Sequence, residues 1–187
     1  MPRQLSTSLS DLMLAISAFY VSHHWYEHKH HNAAIGMFIQ GCAASMGIFR
    51  FAMEQPQGTL VYKAHKLLSW LAGAVGVPLI ALVFCYKYGS AALANKISIF
   101  IVCILLVVVF LPPKNRELCS QAVSGFSILT MATLCVINKN WFGFGACVVY
   151  AGAGILFGSD GKLLDIPKVD FLHYFLIVGN TLFKLAL

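Results

Sequence analysis

Seven apolar segments separated by short polar stretches run through this chain of 187 residues. They cover residues 9–25, 33–52, 65–86, 97–111, 119–137, 141–157 and 169–186. A helix that crosses a bilayer needs about 20 residues, so seven crossings use most of the chain. Hydrophobic residues make up 59% of the chain and charged residues 11%, whereas about a quarter of a soluble domain is charged. The sequence therefore predicts an all-α polytopic membrane protein, in which residues 1–187 form one domain, a bundle of seven transmembrane helices.

The basic residues predict how this bundle is oriented. Alternating crossings place eight Lys and Arg residues on the N-terminal side and five on the other side. Because cytoplasmic loops are enriched in Lys and Arg, the N-terminus is expected in the cytoplasm, with the protein in the endoplasmic reticulum or the plasma membrane. The net charge is +6, but the basic residues stand singly in loops and form no stripe. Nucleic acid is therefore not an expected partner, whereas membrane lipids and a membrane-protein partner are.

A histidine-rich stretch, residues 23–31, follows the first apolar segment and contains five histidines. This density is compatible with zinc or copper binding, and His24 and His28 lie on one face if the helix continues. The alternative is a polar turn at the membrane interface, anchored by Trp25 and Tyr26. The stretch lies on the opposite side of the membrane from the charges described next, so we expect it to be separate from them.

Six ionisable residues from five of the segments fall near one membrane face when the chain is threaded up and down. They are Asp11, Arg50, His65, Asp160, Asp170 and His173. Charge is costly in a bilayer, and where it persists it is usually paired, hydrated or functional. Each of these residues alone has a structural explanation, such as a charge at a helix end or a turn. Their convergence predicts a shared polar pocket at the N-terminal-side face.

Three kinds of chemistry are open to such a pocket. Carboxylates, histidines and a serine can hold a metal ion that activates water. The same groups can carry out acid–base hydrolysis without a metal. Alternatively, Arg50 neutralises Asp11 or Asp160 in a buried pair that only holds helices together.

Three short stretches resemble a known superfamily. Residues 152–164, which read GAGILFGSDGKLL, are similar to the pattern near the end of lysoplasmalogenase-type membrane proteins. Residues 10–15 (SDLMLA) and 64–73 (AHKLLSWLAG), followed by GVP at 76–78, look like small uncharacterised relatives of those proteins. The chain thus resembles the CREST superfamily, which includes alkaline ceramidases and progestin/adiponectin-type receptors. This resemblance implies a seven-helix bundle with a hydrolase-like scaffold.

The zinc ligands of that superfamily are incomplete in this chain. Zinc-dependent members carry a Ser-x3-His motif on the second helix and a His-x3-His motif on the seventh. Here Ser45 is followed by Phe49, and His173 is followed by Ile177. Two of the three expected histidine ligands are therefore missing, and His65 is the residue that could substitute. We expect no metal and no other cofactor.

Two functions follow from these residues, and the first is preferred because the zinc ligands are absent. The first is a non-catalytic membrane protein that binds lipid or a partner subunit through the polar pocket. The pocket residues in this hypothesis are Ser45, Arg50, Asp170 and His173. The second is an intramembrane lipid hydrolase, lysoplasmalogenase- or ceramidase-like, supported by Ser45 and His173. Its catalytic candidates are Asp11, His65 and Asp160.

A transporter or channel subunit is the third hypothesis and has less support. The segments show no internal repeat and no broken helix, and no ionisable residue falls near the membrane midplane. Asn180 and Lys184, late in the last segment, are expected to approach the far interface.

Overall fold

The structure, a computed structural model, describes residues 4–108, 110–158 and 161–187. Eight α-helices lie within these residues: α1 (Leu5–Glu27), α2 (His31–Ala52), α3 (Leu60–Leu71), α4 (Val77–Tyr88), α5 (Ala91–Val108), α6 (Pro113–Ile137), α7 (Trp141–Gly152) and α8 (Lys168–Ala186). One π-helical turn, Ala72–Gly76, joins α3 to α4, and a second, Ala153–Phe157, extends α7. A short antiparallel pair, β1 (Lys162–Leu163) and β2 (Ile166–Pro167), precedes α8.

These helices correspond to the seven predicted apolar segments. Six stretches are long and apolar enough to cross a membrane: Leu5–Glu27, His31–Ala52, Leu60–Tyr88, Ala91–Val108, Asn115–Ile137 and Lys168–Ala186. The seventh, Trp141–Phe157, is shorter and lies at the lower end of the range for a crossing helix. The predicted all-α polytopic membrane fold is confirmed.

The helices form a ring with one helix outside it. On one side of the ring, α1 packs on α2, and α2 packs on the crossing formed by α3 and α4. On the other side, α4 packs on α6, α6 on α7 and α7 on α8. The contact of α8 with α1 closes the ring. Helix α5 packs against α4 and, more lightly, against α6. The first three and the last three crossings are therefore two halves, which meet along α1–α8 and along α4–α6.

The two halves share a turn design at the far face, the face opposite the N-terminal side. Lys29 between α1 and α2, and Lys139 between α6 and α7, both have left-handed backbones, with φ of 62° and 55°. In each turn the backbone N–H of the residue after the lysine donates a hydrogen bond of 2.8 Å. The acceptor is the carbonyl of the residue five positions before that donor. Equivalent positions are also buried in α2 and in α7 with its π-helical extension. They are Ala33 and Gly143, Gly36 and Ala146, Met37 and Cys147, and Ala43 and Ala153. The structure thus shows two helix–turn–helix units of like design, α1–α2 and α6–α7, where the sequence indicated no repeat, because these units share turns and burial rather than residue identities.

The apolar core fills the half of the bundle nearer the far face. Its largest buried hydrophobic side chains include Trp25, Met37, Phe84, Met131 and Phe183. A smaller apolar cluster, formed by Leu14, Ala15 and Ala44, lies nearer the N-terminal-side face. The predicted polar pocket has to lie beyond this smaller cluster, where the first turns of α1 and α8 meet.

Candidate polar site at the N-terminal-side face

Four polar residues, termed the polar cluster below, are packed between α1 and α8. The hydroxyl of Ser10 lies 2.9 Å from Nδ1 of His173 and 3.5 Å from Oδ1 of Asp170. The other ring nitrogen of His173, Nε2, lies 3.5 Å from Oδ1 of Asp11. The exposed fractions are 0% for Ser10, 1% for Asp11, 2% for Asp170 and 6% for His173. The polar cluster therefore joins the first and last helices through side chains that are closed to solvent and lipid.

Helical spacing brings these side chains together. Ser10 and Asp11 are adjacent in the second turn of α1. Asp170 and His173 lie three residues apart at the start of α8, so they are neighbours on one face of that helix. Three of these four residues are among the predicted site residues, and Ser10 is not. A serine directly beside an aspartate within an apolar helix is the signal that could have identified it.

A glycine of α2 gives Asp11 its space. The carboxyl group of Asp11 packs directly on Gly47, and any Cβ atom at that position would collide with it. Close approach of α2 to α1 at this level is reinforced by Ser8, whose hydroxyl donates to the carbonyl of Ile48 at 2.9 Å. The absence of a side chain at Gly47 thus lets α2 cover a carboxyl group.

Arg50 and His65 form a second contact at the same face, between α2 and α3. Arg50 Nη1 donates to Nδ1 of His65 at 2.7 Å. The guanidinium also lies 4.8 Å from the ring centroids of Phe51 and Tyr62, within cation–π range of both. The positive charge of Arg50 acts electrostatically on Asp11. Arg50 therefore interacts within the bundle, with His65 as a bonded partner and Asp11 within reach of its field.

Two further predicted site residues have different outcomes. The hydroxyl of Ser45 donates to the carbonyl of Gly41 in its own helix at 2.8 Å. Asp160 lies outside the described residues, so its predicted approach to Asp11 and Arg50 stays a prediction. Within the described part of the chain, the predicted pocket divides into one group between α1 and α8 and another between α2 and α3.

A second polar layer lies deeper in the bundle and was not predicted. Gln40 Nε2 donates to the Tyr150 hydroxyl at 3.1 Å, and that hydroxyl donates to Oδ1 of Asn180. Asn180 Nδ2 in turn donates to Ser17 Oγ at 3.4 Å. The smaller apolar cluster comes between this layer and the polar cluster along α1 and α2. Asn180, which was expected to approach the far interface, is fully buried among these partners.

Residues 23–31 comprise the last five residues of α1, the turn of residues 28–30 and the first residue of α2. Nδ1 of His28 lies 2.8 Å from the carbonyl of His24, and the two rings are 4.1 Å apart. Partial burial, with the charge of Lys87 adding to it, lowers the pKa of His30 below its ordinary value of 6.5. Among the residues that the structure describes, no three His, Cys, Asp or Glu side chains are grouped as a metal site would require. The contacts found here are local contacts within the connection between α1 and α2, and metal binding by this stretch stays a hypothesis.

Ser10, His173 and Asp11 are connected in the order of nucleophile, base and acid that many hydrolases use. The hydroxyl of Ser10 is also 3.0 Å from the carbonyl of Thr7, in its own helix. A nucleophile must come within about 3–3.5 Å of the atom that it attacks, and the closed packing around Ser10 leaves no room for a substrate. As it stands, the arrangement holds α1 and α8 together.

The crossing helices, their apolar outer surfaces and the polar groups buried between them define a multi-pass α-helical integral membrane protein. The chain is similar to Transmembrane protein 276 from Homo sapiens, with 25% identity over 183 residues, which are 97% of this chain and 91% of the relative. It is also similar to Transmembrane protein 276 from Bos taurus, with 26% identity over 121 residues, 64% of this chain and 63% of that relative. No protein-family model and no solved structure matches. These relatives support a membrane protein, and the resemblance to lysoplasmalogenase-type proteins is not confirmed by them.

Proposed function

We propose that this protein is a non-catalytic multi-pass membrane protein that binds membrane lipid or a membrane-protein partner on a hydrolase-like seven-helix scaffold. The observation that carries the proposal is the burial of the polar cluster. All four of its residues are at most 6% exposed, and their hydrogen-bonding groups face one another across α1 and α8. Buried polar groups in this state stabilise the packing of helices and offer a substrate no access.

Membrane lipid is the ligand that the outer surface of the bundle favours. A groove of about 260 Å³ lies between α5 and α6, and all of its lining is apolar. Its walls include Phe100, Val107, Ala122 and Val123, with the thiol of Cys103 among them. Helix α5 stands outside the ring, so the groove belongs to the surface that faces the membrane. An acyl chain of a bilayer lipid matches such a lining, because it brings no polar group that needs a partner.

Lipid retention tests this part of the proposal. The protein purified in mild detergent should carry phospholipid that native mass spectrometry detects. Ala122→Trp places an indole in the groove and should lower the lipid-bound fraction. Leu129→Trp, on an exposed face of the same helix, is the matched control and should leave that fraction unchanged. Equal retention by both variants would contradict lipid binding in the groove.

An intramembrane lipid hydrolase is the second candidate, and the connection of Ser10, His173 and Asp11 favours it. If the bundle opens at α1 and α8, these residues have the relative positions of a nucleophile, its base and an orienting acid. Purified protein would then cleave a lysophospholipid or a ceramide. Ser10→Ala would abolish the cleavage, whereas Ser8→Ala, which removes only a bond to a backbone carbonyl, would not. No cleavage by the unaltered protein excludes this candidate for those lipids.

A substitution at Asp160 also distinguishes the two candidate functions. Asp160→Asn changes the group little in size but removes its ability to exchange a proton at neutral pH. In a non-catalytic protein we expect a lowered melting temperature from the loss of a structural partner. An unchanged melting temperature together with loss of lipid hydrolysis would support the enzyme.

The proposal includes a cytoplasmic N-terminus and a place in the endoplasmic reticulum or plasma membrane. Its support is the excess of Lys and Arg, eight against five, on the N-terminal side of the crossings. Lys162, in β1, is one of these eight, because six apolar segments separate the start of α1 from β1.

A further inference from the structure

Lys184, in the last turn of α8, is held against Tyr20 of α1. Its ammonium group donates to the Tyr20 hydroxyl at 2.8 Å and lies 4.5 Å from the centroid of the ring, within cation–π range. Tyr20 is 58% exposed and Lys184 is half-buried. Among the residues that the structure describes, no carboxylate lies within ion-pair distance of Lys184. The ammonium keeps further N–H donors, and the Tyr20 hydroxyl, which accepts from Lys184, keeps its own hydrogen. Two donors are thus available at one exposed place for an anionic acceptor.

Contacts at the end of α8 show how close this place is to the far face. The carbonyl of Ala186 accepts from the Tyr88 hydroxyl and from Asn140 Nδ2, each at 3.0 Å. Asn140 belongs to the turn between α6 and α7, so α8 ends at the level of the far-face turns. Lys184 therefore lies within one helical turn of that face, where the head groups of a bilayer begin.

The charge of the far face favours an anion. Alternating crossings place five lysines there, against one of the seven acidic residues, Glu27. The N-terminal side receives eight Lys and Arg residues against six acidic residues. Glu27 lies 3.4 Å from His23 of its own helix. An excess of positive charge at one face attracts anionic groups to it.

An exposed apolar stripe of α1 continues from Tyr20 toward the middle of the membrane. Ile16 and Met13 lie about one and two helical turns from Tyr20 on the same side of α1. Their exposed fractions are 63% and 45%. A fixed ammonium group next to an apolar stripe matches a ligand that has an anionic head and an acyl chain.

We propose that Lys184 and Tyr20 bind the phosphate group of an anionic phospholipid at the far face, with an acyl chain along Ile16 and Met13. The proposal rests on the lipid binding proposed above but places it between α1 and α8 and adds a head-group preference. The groove between α5 and α6 has an apolar lining and gives no reason for such a preference. A zwitterionic phospholipid also has a phosphate group, but its own cation cancels the attraction of the far face.

Native mass spectrometry of the full chain in mild detergent tests the proposal. Binding of phosphatidylglycerol is compared with binding of phosphatidylcholine that has identical acyl chains. The unaltered protein should prefer phosphatidylglycerol. Lys184→Gln should weaken phosphatidylglycerol binding about fivefold, the effect of one basic residue near an anionic head group, and should change phosphatidylcholine binding little. Lys184→Arg keeps the charge and should keep the preference.

A matched control lies at the other face of the bundle. Lys66 Nζ is 5.5 Å from the centroid of the Tyr62 ring, so Lys66→Gln removes a lysine beside a tyrosine without touching the site and should leave the preference unchanged. The preference is a ratio of two lipids bound by one variant, so a change in the amount of folded protein does not imitate it. Ala122→Trp, in the groove between α5 and α6, should also leave the preference unchanged, and this separates failure of the groove from failure of this site.

Three results would overturn the proposal. The first is equal affinity of the unaltered protein for the two lipids. The second is a loss of preference in Lys66→Gln as large as that in Lys184→Gln. The third is displacement of phosphatidylglycerol by an excess of free glycerol phosphate, since that anion has no acyl chain to contact Ile16 and Met13.

Discussion

The hydroxyl of Ser10 lies 2.9 Å from Nδ1 of His173, although 163 positions separate the two residues in the chain. The contact joins the first membrane helix to the last and so closes the ring of helices. Because both residues are buried, water cannot replace either partner if the other is removed. The stability of the ring should therefore depend on the polar cluster much more than on polar contacts at the surface.

Two histidine–carboxylate pairs allow that statement to be tested within one protein. His173 and Asp11 are 3.5 Å apart with side chains 8% and 1% exposed, and His23 and Glu27 are 3.4 Å apart with side chains 71% and 57% exposed. Asp11→Ala should lower the free energy of unfolding by about 1–3 kcal/mol, because a buried partner of His173 is lost. Glu27→Ala should change it by less than about 1 kcal/mol. Denaturation by SDS measures both, and equal effects would contradict the role of burial.

Gly47 should be intolerant of even the smallest side chain. Gly47→Ala places a methyl group against the Asp11 carboxyl group, and overpacking of this kind costs about 1–3 kcal/mol. Gly125→Ala in α6 is the matched control, because a Cβ there meets nothing within 4 Å. It should leave the melting temperature unchanged or raise it, since alanine favours a helix by up to about 1 kcal/mol over glycine. A neutral Gly47→Ala would show that Asp11 does not pack as described.

The deeper polar layer allows a second comparison, between the loss of a buried hydroxyl and the loss of an exposed one. Tyr150→Phe removes a buried hydroxyl that bonds both Gln40 and Asn180, so the free energy of unfolding should fall by about 1–3 kcal/mol. Tyr86→Phe removes an exposed hydroxyl that donates to Asn95 and should have a much smaller effect. Both are measured by thermal unfolding in the same detergent. Similar shifts for the two variants would argue against a stabilising role for the deeper layer.

The seven apolar segments could be predicted because each is a continuous apolar run. Alternation of crossings then predicts the membrane face on which each residue lies. That reasoning is why Asp11, Asp170 and His173 could be expected at one level. It could not supply their pairing, because pairing depends on the order of helices around the ring and on the rotation of each helix about its axis. The contact of Arg50 with His65 required both pieces of information.

Other features were hidden because hydropathy averages over single polar residues. Tyr150 and Gln40 are isolated in apolar segments, so nothing in the sequence showed that they meet Asn180. Lys29 and Lys139 look like ordinary loop residues, and it is the structure, through their shared left-handed backbone, that reveals the likeness of the α1–α2 and α6–α7 turns.

The alternation of crossings is itself testable with acceptor-bearing tags for glycosylation. A tag at the N-terminus and one at the β1–β2 turn should share one state, and tags at Lys29 and Lys139 should share the other. With a cytoplasmic N-terminus, only the second pair is modified. Identical states for the N-terminal tag and the Lys29 tag would mean that α1 does not cross the membrane.

The most direct test of the account is a double-mutant cycle between Asp11 and His173. The free energy of unfolding is measured for the unaltered protein, Asp11→Asn, His173→Gln and the double variant. If the polar cluster fastens the first helix to the last, the two changes should be coupled by about 0.5–3 kcal/mol, because the second change loses a contact already broken by the first. Effects that add to within about 0.3–0.5 kcal/mol would contradict the account, since independent sites behave in that way.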